Sequence, residues 1–213
     1  MMNMLDRLKL APVVPVFYHE NTAYAQAILS ACYAGGLRFF EFTNRGQGAF
    51  EVFARLTEFA QAHCPELTLG IGTIYSAETA ERFIEAGARF VVQPVCTAEV
   101  GQICKKHAIP WIPGAFTPQE IWNAWQAGAS LVKLFPGNLL SPEYIWALRG
   151  PMPEIPFMVT GGVEPEYTSV KSWLDAGAVA VGIGSQLFKG EYSSNFEALV
   201  QRIAALHKEI VQT

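Results

Sequence analysis

Apolar positions along this chain gather into short, nearly continuous runs, separated by longer stretches in which they recur with a helical period. The runs cover roughly 12–19, 38–45, 68–74, 89–95, 110–115, 131–136, 156–161 and 178–184. Helical spacing fills intervening segments such as 22–34, 50–62, 76–86 and 117–127. A punctuation recurs at intervals of about 40–50 residues, with Ala-Gly-Gly at 34–36 and Ala-Gly-Ala at 86–88, 127–129 and 176–178. Glycine just past a helix supplies the left-handed residue that ends it, and the next residues start a strand. Two helix starts are legible from side chains. Thr117-Pro118-Gln119-Glu120 offers a cap, a first-turn proline and an acid behind them, and Ser76-Ala77-Glu78 does similar work.

Apolar runs that alternate with helices predict a parallel sheet buried on both faces. Eight such units favour a closed (β/α)8 TIM barrel over an open doubly wound sheet. No linker, low-complexity tract or composition break divides the chain, so one domain over 1–213 is expected. Barrels place their sites at the C-terminal strand ends, where the turns at Gly161-Gly162 and Gly182-Ile183-Gly184 fall.

Composition narrows the function classes. Hydrophobic residues make up 51% and charged residues 16%, and the net charge is −4. With no basic run beyond Lys105-Lys106, a nucleic-acid partner is not expected. The run Leu10–Tyr18 is short and interrupted by Pro12 and Pro15, so no membrane span is expected. The opening MMNMLDRLKL lacks the marks of a signal peptide, which makes the cytoplasm the default. Cys32, Cys64, Cys96 and Cys104 form no C-x-x-C pair and read as reduced, mostly buried thiols. The histidines are scattered over different units, and no metal site is expected. Trp122 and Trp125, three apart on one helix, read as packing or subunit contact rather than ligand stacking.

Of the seven lysines, Lys133 alone sits inside an apolar strand, Leu131-Val132-Lys133-Leu134-Phe135-Pro136. Either its stem snorkels to water or the amine is held in the barrel mouth, where desolvation favours the free nucleophile. In the second strand a period of two puts Glu41, Thr43 and Arg45 on one face and Phe40 and Phe42 on the other. The charged face is expected to point inward, and strands two and six stand opposite each other in an eight-stranded barrel. A long Lys133 and Glu41 can therefore meet near the axis, as a structural ion pair or as an amine with its proton shuttle. Arg45 could clamp a carboxylate, Thr73 could add a hydroxyl donor, and Phe135 shares the face of Lys133. The turns around Thr160-Gly161-Gly162 and before Ser185 suit a phosphate.

These residues resemble the bacterial 2-keto-3-deoxy-6-phosphogluconate (KDPG) aldolase family, whose members often also cleave 4-hydroxy-2-oxoglutarate (KHG). The likeness runs from Pro-Val-Val-Pro-Val at 12–16 through Glu41-Phe42-Thr43-Asn44-Arg45, Gly70-Ile71-Gly72-Thr73 and Pro113-Gly114 to Val132-Lys133-Leu134-Phe135-Pro136, Thr160-Gly161-Gly162 and Gly182-Ile183-Gly184-Ser185. The resemblance implies a class I aldolase with Lys133 as Schiff-base lysine and Glu41 as acid/base. It places Arg45 and Thr73 at the pyruvate carboxylate, and Gly161, Gly162 and Ser185 at the phosphate end, with Pro94, Phe135 and Thr160 also in the substrate site. It implies a small-molecule 2-oxo acid substrate, no metal or organic cofactor, and a homotrimer. The chain departs from the family at Gly46, Gly137, Asn138 and Ser141. At Gly46, Gly137 and Asn138 the side chains are smaller or uncharged, which predicts a loosened rim that discriminates poorly among substrates, while Ser141 stands where the family has Gly. The rival readings are a galactonate-isomer aldolase, a non-covalent phosphate-binding barrel isomerase, and an inactive binding barrel.

Overall fold

A computed structural model describes residues 3–212. Met1, Met2 and Thr213, which belong to the opening segment and the 1–213 span considered above, lie outside the described residues. The strands are β1 (Val13–Phe17), β2 (Phe39–Thr43), β3 (Thr68–Gly72), β4 (Val91–Val92), β5 (Trp111–Ile112), β6 (Gly114–Ala115), β7 (Val132–Leu134), β8 (Phe157–Thr160) and β9 (Ala180–Ile183). All pairings are parallel, in the order β5-β4-β3-β2-β1-β9-β8-β7-β6. β5 and β6 are the two halves of the fifth predicted run, divided by Pro113, which has no N–H for a ladder. β5 pairs with β4 and β6 with β7, so this one segment closes the wall of a (β/α)8 barrel.

Around it stand α1 (Met4–Leu10), α2 (Thr22–Ala34), α3 (Ala49–His63), α4 (Ala77–Glu85), α5 (Ala98–Lys106), α6 (Pro118–Gln126), α7 (Pro142–Arg149), α8 (Tyr167–Asp175) and α9 (Phe196–Val211). The predicted starts hold. Glu120 N–H donates to Thr117 Oγ1 at 3.3 Å while Glu120 Oε2 accepts from Thr117 N–H at 2.8 Å, a reciprocal capping box. Ser76 Oγ accepts from Thr79 N–H at 3.2 Å. The helix-ending glycines Gly36, Gly87, Gly128 and Gly177 all have φ between 94° and 108°. In the first motif the left-handed residue is thus Gly36, and Gly35 keeps a φ of −73°.

α1 was not expected from the sequence. It begins at Asn3, whose side chain caps Asp6 N–H, and it buries Leu8 completely. Leu8 belongs to the inner cluster with Val14, Phe39, Phe90, Ile112, Leu131, Met158 and Ala180. These side chains fill the lower barrel, and α1 plugs that end. The opposite strand faces carry Phe40, Phe42, Ile71, Val132, Val159 and Val181 into the larger cluster under the helices. Moving two residues toward the C-terminal strand ends keeps the lumen face. It leads from Phe39 to Glu41, from Leu131 to Lys133, from Met158 to Thr160 and from Ala180 to Gly182. The lumen thus passes from an apolar floor to a polar layer at the mouth.

Most predicted runs extend past the observed strands at their C-terminal ends. Tyr18-His19, Asn44-Arg45, Thr73-Ile74, Gln93–Val95 and Phe135-Pro136 lie beyond the ladders. Most of them are apolar or at least half-buried, Arg45 being the exposed polar exception, and a run-based reading joins them to the strand.

Candidate active site

Lys133 Nζ and Glu41 Oε1 face each other across the lumen at 3.8 Å. That separation forms an ion pair and exceeds a direct hydrogen bond. Relative exposure is 1% for Glu41 and 5% for Lys133, so the two charged groups are among the few buried in the molecule. Burial pushes the Lys133 amine below its ordinary range, against the pull of the Glu41 charge, with Arg45 adding a smaller downward push. Burial likewise raises the Glu41 carboxyl, against the opposing charges of Lys133 and Arg45. Desolvation acts on both partners toward the neutral form, an amine beside a carboxylic acid. Glu41 Oε2 is buried without a hydrogen-bond partner among the described residues, and so is Thr160 Oγ1. Buried polar atoms of this kind are costly unless a ligand engages them.

Glycines make this polar layer possible. Gly72 stands in register with Thr43, and a methyl group on it would overlap the Glu41 carboxylate. Gly182 pairs with Thr160, and a side chain there would strike Thr160 Oγ1. Gly114, beside Lys133 in the ladder, lies against the Pro94 carbonyl. The lumen is narrow here: Gly72 leaves room for Glu41 and Gly182 for Thr160, while Gly114 lets the backbone at Pro94 approach.

The other expected residues are arranged around this pair. Arg45 is not on β2, which ends at Thr43; it is exposed in the following loop, and its charge still reaches Glu41 and Lys133. Inward pointing therefore holds for Glu41 and Thr43, both buried, while Arg45 reaches the site from the rim. Thr73 follows Gly72 directly and has a φ of 62°, an uncommon conformation for a β-branched residue. Phe135 places its ring 5.2 Å from Lys133 Nζ. Pro94 is half-buried after β4. Gly161 and Gly162 have φ of 98° and 71°, so this turn demands glycine. Ser185 is exposed at the start of a short 3-10 helix, Ser185–Phe188, on the neighbouring loop. Gln186 Nε2 donates to Glu164 Oε1 at 2.7 Å and ties the two loops together.

The loosened rim expected from the departures is not what the structure has. A side chain on Gly46 would overlap the Tyr18 hydroxyl, and the Tyr18 ring lies 5.7 Å from that of Phe42. Tyr18 therefore occupies the volume that Gly46 gives up. Gly137 is buried, and a Cβ on it would come 2.5 Å from the Gly161 carbonyl oxygen. A Cβ on Gly162 would meet Asn138. The small residues bring two backbones together rather than open a gap. Tyr18 was missed in the sequence because it sat inside an apolar run; a tyrosine at a strand's C-terminal end was the available signal.

Among the described residues, no group of His, Cys, Asp or Glu is placed to hold a metal ion, and no helix is long and apolar enough to cross a membrane. Cys32, Cys64 and Cys104 are buried free thiols, and Cys96 is exposed on the loop after β4. Trp125 packs partly on the core, while Trp122 is exposed.

Comparison with known proteins fits this geometry. A curated 2-dehydro-3-deoxy-phosphogluconate aldolase of Treponema pallidum is 31% identical over 198 residues, covering 91% of this chain and 92% of that protein. A 2-dehydro-3-deoxy-6-phosphogalactonate aldolase of Escherichia coli is 32% identical over 155 residues, covering 71% and 74%. The crystal structure of a 4-hydroxy-2-oxoglutarate/2-dehydro-3-deoxyphosphogluconate aldolase from TTHB1 superposes with a TM-score of 0.84 at 27% identity, covering 99% of this chain and all of that one. The family model described as KDPG and KHG aldolase matches residues 4–205, which takes in every strand and the whole mouth. The chain belongs to that family and is an aldolase, a carbon–carbon lyase.

Proposed function

We propose that this aldolase works through a Schiff base on Lys133 and cleaves a 2-keto-3-deoxy-6-phospho sugar acid, KDPG foremost, to pyruvate and glyceraldehyde 3-phosphate, with 4-hydroxy-2-oxoglutarate as a further substrate. The observation that carries the reading is the buried Glu41–Lys133 pair, 3.8 Å apart in the barrel mouth. The neutral amine attacks the C2 carbonyl to give a carbinolamine. Glu41, as the acid, protonates the departing hydroxyl, and water leaves the iminium. Glu41, now the base, takes the C4 hydroxyl proton; the C3–C4 bond breaks and its electrons pass into the iminium as an enamine. Protonation at C3 and hydrolysis release pyruvate and restore the amine. Arg45 and Thr73 hold the carboxylate, and Phe135 and Pro94 wall the pyruvyl group. Thr160, Gly161, Gly162 and Ser185 receive the phosphate. No metal or organic cofactor is required by this route.

The similarity to the galactonate-isomer aldolase supports a second reading for the sugar, in which that isomer is preferred. Tyr18 against Gly46 and Asn138 against Gly162 give the rim a defined shape, which supports selectivity rather than tolerance. Pyruvate release from both phosphorylated isomers, their unphosphorylated forms and 4-hydroxy-2-oxoglutarate decides. The expectation is a kcat/KM for one phosphorylated isomer at least about tenfold above the other, since one contact is worth roughly 1–3 kcal/mol. Pyruvate released from none of them would remove the reading. We further propose a single domain over 1–213, a homotrimer and residence in the cytoplasm. The exposed Trp122, Trp146 and Leu139 support assembly, and the free thiols support a reducing compartment.

A further inference from the structure

Gln93 is fully buried in the run after β4, on the face directed away from the lumen. Its side-chain amide is used completely. Nε2 donates to the Ile74 carbonyl at 3.0 Å and to Thr97 Oγ1 at 2.7 Å. Oε1 accepts from the indole N–H of Trp111 at 2.8 Å and from Thr97 N–H at 3.5 Å. Trp111 can only donate, which fixes the amide in this orientation and leaves both Nε2 protons for acceptors. One side chain therefore joins the loop after β3, the loop after β4 and the strand β5.

The bond to Ile74 matters most, because Ile74 follows Thr73. At a φ of 62°, Thr73 holds a conformation that costs free energy and persists only where its surroundings over-determine it. Thr73 in turn follows Gly72, where an added Cβ would overlap the Glu41 carboxylate. We propose that Gln93 is a positioning residue: by fixing the Ile74 carbonyl it holds Thr73 in the left-handed conformation that serves the substrate carboxylate. This rests on the assignment of Thr73 to the pyruvyl end. Gln93 does not touch the reacting atoms, and its effect falls on binding of the pyruvyl end more than on turnover. In the sequence, Gln93 was a polar residue closing an apolar strand, the one signal available.

The test uses Gln93→Met and Gln93→Leu, which nearly keep the volume and remove the bonds to Ile74, Thr97 and Trp111. Both should raise KM by about tenfold with kcat within about threefold of the parent. Added to Thr73→Ala, either substitution should raise KM less than twofold further, because the residue it acts through is already gone. Trp111→Phe, which disturbs the same buried cluster but leaves the Ile74 bond, should keep the parental KM. KM unchanged in Gln93→Met and Gln93→Leu, full additivity with Thr73→Ala, or an equal rise in Trp111→Phe would each overturn the proposal. Thr73→Ala that binds like the parent would instead overturn the assignment of Thr73. A parent that releases no pyruvate would overturn the aldol reading itself.

Discussion

A lysine amine and a carboxyl group buried together settle their proton according to the low polarity around them. Burial lowers the Lys133 amine below the 10.5 of an unhindered lysine, and Arg45 pushes it the same way. Between the lowered value and 10.5 the unfolded chain binds the proton more readily than the folded one, so for Lys133 folding gains stability as pH rises through that window. Glu41 is shifted upward from 4.5, so the folded state keeps a proton the unfolded state has lost, and its contribution falls as pH rises through that range. The catalytic consequence is a larger share of free amine near neutrality. The rate of pyruvate imine formation should rise with pH to a plateau with its midpoint below 10.5. In Arg45→Leu the midpoint should move up, because the cation opposing protonation of Lys133 is gone. Stopped-flow trapping across pH checks this, and a midpoint that stays put or moves down would contradict it.

At the scale of elements, the site depends on which strands carry side chains and which carry none. Gly72→Ala on β3 would push the Glu41 carboxylate from its place beside Lys133. A misplacement near 1 Å costs about a hundredfold in rate, so kcat should fall by that order while the fold, followed by circular dichroism, is retained. A kcat within a few-fold of the parent would show that the lumen has more room than the packing implies. The same pattern explains what was legible in the sequence. Alternation on β2 placed Glu41, and a lone charge in an apolar run placed Lys133, because period and burial are local properties. The empty volume next to Gly46 was misread because what fills it, Tyr18, arrives from another strand. α1 was missed because a seven-residue helix has little periodicity of its own and is held by Leu8 in the barrel floor. Gln93 carried little signal beyond being a polar residue that closes an apolar run, since its partners come from two loops and the strand β5.

For the whole molecule, the apolar surface is uneven. Trp146 is 74% exposed on α7 and Leu139 is 69% exposed on the preceding turn, with Trp122 on α6, the adjacent helix in the chain. Where large apolar side chains stay this exposed, a contact surface is the reading to test. Trp146→Glu, alone or with Trp122→Glu, should shift the proposed trimer toward monomer, as measured by sedimentation. An unchanged trimer would place the interface elsewhere, and a parent that sediments as a monomer would end the proposal of assembly.

The central claim, that Lys133 is the nucleophile, has a direct test. The protein is incubated with pyruvate, reduced with borohydride, digested and mapped by mass spectrometry, with Lys133→Met treated in parallel. The account predicts one reduced pyruvyl group per chain, carried by the peptide containing Lys133, and neither adduct nor turnover in Lys133→Met. An adduct on any other lysine, or retained turnover in Lys133→Met, would contradict it.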